Sequence, residues 1–161
     1  MARRRLIMYA TVLLLFGPNL SCTRDAAPPG VHQVKLGGST FGLELALDDQ
    51  TRIQGLSDRA QIADVGGMLF VFPNPKLLAF VMRRCLVPID LLILDPGGRV
   101  IAMHRMQVEP YDTPERDLRR YGCEWPAQFA IELKGGTIDR IGIQPGHTVE
   151  LPLEDLKRRA R

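Results

Sequence analysis

The amino-acid sequence predicts a mainly β domain, a compact β-barrel or β-sandwich of about seven to nine short strands with one or two short helices. Three observations carry that expectation. Apolar residues alternate with polar ones in short runs, as at Phe41, Leu43, Leu45 and Leu47, which places one face of each run inward. Turn signals recur roughly every eight to twelve residues, among them Gly37-Gly38, the "DPGG" of Asp95 to Gly98, and Pro145-Gly146. The 161 residues are 45% apolar and 24% charged, which suits one folded core and excludes collagen, repeat arrays and a disordered chain.

The chain opens with Arg3, Arg4 and Arg5 ahead of the apolar run Leu6 to Phe16. That run is shorter than the ~20 residues a membrane-crossing helix needs and fits the apolar part of a secretory signal. Residues 1–21 are therefore expected to be a leader. The "NLSC" ending at Cys22 resembles the cleavage region of a bacterial lipoprotein, where the cysteine thiol is acylated and becomes the new N-terminus. Asn19 stands where such sites usually carry leucine, and cleavage by the general signal peptidase after Ala26 or Ala27 is the other route. Thr23 in place of aspartate implies, by the same resemblance, sorting to the outer membrane with the domain facing the periplasm. Residues 22–30, with Pro28 and Pro29, read as a tether.

Charge then loses its suggestive value. The whole chain carries 21 basic and 18 acidic residues, a formal +3. Removing residues 1–21 leaves 18 of each, so no net field remains to draw a polyanion and a nucleic-acid partner is not expected.

The domain proper is expected over residues 31–153. "VHQVKL" and "STFGLELAL" flank Gly37-Gly38 as a hairpin. Asp48 or Asp49 can cap a short helix that Gly55 weakens, with Arg52 and Arg59 reaching solvent. "GGMLFVF" reads as a buried strand ending at Pro73, and "IDLLILD" with "RVIAMHRM" forms a second hairpin around "DPGG". A charged loop fills Val108 to Pro126, after which "QFAIEL", "GGTIDRIGI" and "HTVELPL" return as strands. Residues 154–161 read as a solvated basic tail.

Four of these segments, "TRIQGLSDR", "GMLFVF", "FVMRRCLVPIDLLILD" and "FAIELKGGTIDRIGIQPGHTVEL", stand in an order that resembles the prokaryotic domain-of-unknown-function 192 family over roughly Val34 to Leu151. The resemblance implies a compact β-rich domain, often exported, with no assigned role. Members usually read close to "FWMKNTLIPLD" in the third segment. Here Val81 replaces the tryptophan, and Arg84 and Cys85 stand where asparagine and threonine are common, so a ligand served by those residues is not carried over by the resemblance.

Among polar residues, Asp90 stands out because it interrupts an apolar strand, where an unpaired charge is costly. It is either a carboxylate on a pocket floor, partnered by Arg83, or a structural acceptor for backbone N–H groups or an arginine, for which Arg52 is the candidate. Met82, beside Arg83, completes this candidate ligand-binding or structural site. His32, His104 and His147 lack metal-ligand spacing, and no phosphate-cradling or catalytic motif is present, so neither a metal nor a cofactor is expected. With Cys22 lipidated, Cys85 and Cys123 would face an oxidising compartment, either as a disulfide or as two separate buried thiols. The scaffold without a catalytic set favours a lipid-anchored, non-enzymatic envelope module that binds a small ligand or a protein partner. The alternative is an envelope hydrolase with Asp90 as acid or base and Glu132 assisting.

Overall fold

Residues 30–161, which the computed structural model describes, are organised by a mixed six-stranded sheet. The leader, the tether and Cys22 lie outside the described residues. Strands β1 (Val31–Leu36) and β2 (Ser39–Ala46) form the expected hairpin, and Gly37 at its turn is obligatory: a Cβ there would stand 2.3 Å from the carbonyl oxygen of Ile141. Helix α1 (Asp49–Gln54) follows, capped by a reciprocal pair in which the Asp48 carboxylate accepts from the Thr51 N–H at 2.8 Å and the Thr51 hydroxyl accepts from the Asp48 N–H. Strand β3 (Gly66–Lys76) then pairs parallel to β2. It runs past Pro73, where the sequence predicts its end, because a register shift between Val71 and Lys76 relieves the ladder of the two prolines.

Short β4 (Ala79–Phe80) and β7 (Tyr121–Gly122) make a separate two-stranded ribbon. Strands β5 (Ile89–Leu94) and β6 (Val100–Met106) form the second expected hairpin, and β8 (Ala127–Lys134) sits between β3 and β5 at the sheet centre. The β-rich class and the strand number are as predicted. The sheet, however, stays open and is not closed into a barrel, because its two faces are covered by different material instead of by each other.

One face packs Phe41, Leu43, Leu69, Leu92, Phe129 and Ile131 beneath α2 (Thr137–Ile141) and α3 (Leu153–Arg159). The other packs Met68, Phe70, Leu91, Ile93 and Ala130 beneath the segment after α1 and the β4–β7 ribbon. Three expectations fail on the first face. "GGTIDRIGI" carries a helix, not a strand; "HTVELPL" makes only an isolated bridge, Thr148 to Arg99, before α3 begins; and the basic tail is the docked helix α3, with Leu156 fully buried. Its acidic first turn and basic last turn complement the helix dipole, and Lys157–Glu154, Arg158–Asp155 and Arg159–Asp155 pairs run along it. Charge counting alone does not reveal that this basic segment is amphipathic.

Candidate functional site

Strand β8 positions the central side chain of the site. Its alternation sends Phe129, Ile131 and Leu133 into the core under α2 and α3, and sends Gln128, Ala130 and Glu132 to the opposite face. Glu132 therefore lies in a cross-strand row with Glu44 of β2, Met68 of β3 and Leu91 of β5. Gln128 is satisfied, its amide donating to the carbonyls of Phe72 and Pro73 at 3.1 Å each. Glu132 is not: its Oε2 is buried and has no hydrogen-bond partner among the described residues.

Glu132 is one of the residues lining a cavity of about 250 Å³, and its Oε2 is itself shielded from solvent. Gly55, which ends α1 at φ +50°, contributes part of the wall; a Cβ there would stand 3.6 Å from Oε2 and 3.5 Å from Cζ of Phe70. Phe70 and Phe80 meet edge to face at 5.2 Å, and Phe72 lines the same wall. Arg52, Lys76, Arg83 and Arg120 reach the mouth from four separate segments, together with Asp49 and Glu115.

Burial dominates the chemistry of the floor. It pushes the Glu132 carboxyl up to about 8, against the smaller opposing influences of the Leu56 N–H and the Arg59 charge, so the group is mostly neutral at pH 7. Arg59 is spent mainly on Glu44, which it grips through both guanidinium nitrogens and holds below the usual carboxylate range. Cys85 also lines the cavity, its thiol pushed up to about 12 by burial and by the Glu132 and Asp58 charges. Such a thiol is not an activated nucleophile.

The candidate residues read from sequence separate in the structure. Arg52 and Arg83 both reach this cavity, but neither meets Asp90. The Arg52 side chain is only 7% exposed, not solvated as expected of it on α1: it donates to the Val71 carbonyl and to Asp49 at 2.8 Å each and to the Arg161 main-chain oxygen, tying α1 to β3 and to the segment after α3. Arg83 is held by Glu115 through contacts of 2.6 and 2.9 Å. Met82 is buried in the core beneath the ribbon. Asp90 lies on the opposite face of the sheet with Leu92 and Leu94, where its Oδ2 accepts from the Ile138 N–H of α2 at 2.7 Å. Two carboxylates on opposite faces cannot share a substrate, so a hydrolase built on Asp90 with Glu132 is not assembled. Cys85 and Cys123 are free thiols; the Cys123 sulfur points to the Leu78 and Trp125 carbonyls, and the bridge is not formed.

Lys76 and Arg120 are the site residues that the sequence did not single out. One sits past the prolines of β3 and the other in the charged loop, and no local pattern links them. Val81 and Cys85, two of the departures from the resembled motif, line the cavity, whereas Arg84 does not. Arg84 has φ +51° and pairs with Asp58 and Tyr111. Asparagine adopts that backbone region more readily than most residues, which gives the asparagine usual at this position a conformational reason.

A model of the DUF192 family, described as Uncharacterized ACR, matches residues 32–151. Two solved structures are similar. One, from Sinorhizobium meliloti 1021 and described as a candidate transcription regulator, is 30% identical with a TM-score of 0.62, over 74% of this chain and 90% of that one. The other, a protein of unknown function from Novosphingobium aromaticivorans DSM 12444, is 27% identical with a TM-score of 0.66, over 78% of this chain and 91% of that one. No curated protein matches the chain.

Proposed function

The chain belongs to the DUF192 family, and on that premise we propose that it is a cell-envelope binding module whose cavity beside α1 receives a small ligand hydrogen-bonded to Glu132. The observation that carries this reading is that Glu132, a residue lining the cavity, holds a buried Oε2 with no hydrogen-bond partner among the described residues. A buried polar atom without a partner costs about 1–3 kcal/mol, and a bound ligand that supplies the missing hydrogen bond would recover that cost. The lining is mixed, with Phe70, Phe72 and Phe80 beside several charged side chains, which suits a ligand that carries both apolar and charged parts.

Placement in the envelope is supported by the leader-like residues 1–21 and by Cys22, whose acylation would hold the domain at the outer membrane with residues 22–30 as its tether. A protein partner in place of a small ligand would need an exposed surface, whereas the unmet hydrogen bond lies inside a cavity. The electroneutral composition beyond residue 21 supports no nucleic-acid partner, whatever the description of the Sinorhizobium structure. Native mass spectrometry of protein extracted from its own membranes tests the reading. The wild type should carry a non-covalent small molecule that Glu132→Leu, folded to the same degree, binds less tightly; equal retention by both would contradict it.

A further inference from the structure

We propose that the cavity over Glu132 selects a compact organic anion, its charged group held at the mouth by Lys76 and Arg120 and its apolar body lying against Phe72 and Phe80. This rests on the reading of the cavity as a ligand site and names the ligand's chemical class.

The argument is one of unspent charge. Of the four cations at the mouth, Arg83 is matched bidentately by Glu115, and Arg52 is satisfied by Asp49 and two carbonyls. Lys76 and Arg120 have no carboxylate within 4.0 Å among the described residues. Lys76 is instead held over the Phe72 ring, with Nζ 4.7 Å from the centroid, which fixes an ammonium beside an apolar wall. The mouth thus keeps a net positive charge after its internal pairs are formed. A cationic ligand would meet that charge on entry, whereas an anion would complete it through charge-assisted hydrogen bonds.

The floor agrees with the mouth. A neutral Glu132 carboxyl does not repel an anion, and it offers both a donor and an acceptor to a hydroxyl-type group at the ligand's far end. The cavity volume of about 250 Å³ exceeds the ~150 Å³ that accommodates benzene, which suits a one-ring acid.

Titrations of the full-length protein in mild detergent, followed by amide NMR, separate the possibilities with three probes of one size: 4-hydroxybenzoate, 4-hydroxybenzamide and 4-hydroxybenzylamine. The acid should bind about tenfold more tightly than the amide, and the amine most weakly, with saturable shifts at Gly55 and Glu132. Lys76→Met with Arg120→Met should bring the acid down to the amide's affinity and leave the amide unchanged. An amide or amine that binds as tightly as the acid, with Gly55 and Glu132 shifted, overturns the anion selectivity while the cavity remains a ligand site. Shifts confined to the exterior, with none at Gly55 or Glu132, overturn the ligand-site reading itself. Absence of saturable binding by all three probes at about 10 mM overturns the one-ring anion, and the molecule carried by the native protein then stands as the separate test of the site.

Discussion

Glu132→Gln should make the protein more stable at neutral pH and remove a large part of its pH dependence. The Glu132 carboxyl rises from 4.5 to about 8 on folding, so between those values the folded state binds a proton that the unfolded state has released. Stability from this group is fully present below about pH 4.5, falls as pH rises, and is lost once pH passes about 8. The slope approaches about 1.4 kcal/mol per pH unit, and the accumulated cost is less than about 1 kcal/mol at pH 5 and about 3 kcal/mol at pH 7. Glutamine keeps the shape and does not titrate. Urea unfolding of both proteins across this range, without added ligand, should give curves that nearly coincide at pH 5 and diverge by about 2–3 kcal/mol by pH 7, with the variant the more stable. Cys85, pushed up to about 12, does not titrate in this window and does not confuse the comparison. Parallel pH profiles would show that Glu132 ionises normally and would refute the description of the cavity floor.

Other consequences are as direct. Asp90→Ala should cost about 2–4 kcal/mol in equilibrium unfolding, because it strands the buried Ile138 N–H, yet leave ligand retention intact; loss of retention at unchanged stability would move Asp90 back into the site. Arg83→Met should change stability by less than about 1 kcal/mol in thermal melts, since its pairing with Glu115 is half exposed. Alkylation of the unfolded protein without reductant should label both Cys85 and Cys123; protection of both would establish the bridge that the structure lacks. Cys22→Ser should release the protein from membranes, and unchanged attachment would contradict the lipid anchor.

The fold was legible where local signals were strong. The hairpin turns at Gly37-Gly38 and at Asp95 to Gly98, the Asp48 cap and the alternating strands all appear as read. The failures share a cause: the decisive contacts are distant in sequence. Residues 137–141 read as a strand from composition, but the Asp90 carboxylate, far back on β5, accepts from the start of the segment and favours a helix. The tail becomes α3 because Leu156 finds the core and the Arg161 N–H donates to Leu47.

The site was half legible. Arg52 and Arg83 are legible as candidates, but with Asp90 as their partner, because an acidic residue in an apolar strand is conspicuous. Glu132 obeys the same rule in β8 and was given only a supporting part. Period-two alternation could have distinguished them: Glu132 shares a face with Gln128 and Ala130, small or polar neighbours that leave room, whereas Asp90 shares one with Leu92 and Leu94, which fill it.

The most direct test is a crystal structure of the protein purified from its native membranes without exchange of bound small molecules. Ligand binding at Glu132 predicts non-water density within hydrogen-bond distance of Oε2, extending along Phe72 and Phe80 towards Lys76 and Arg120. A cavity holding only water that links Oε2 to the protein's own groups would contradict it, and would make Glu132 an internally solvated structural carboxyl.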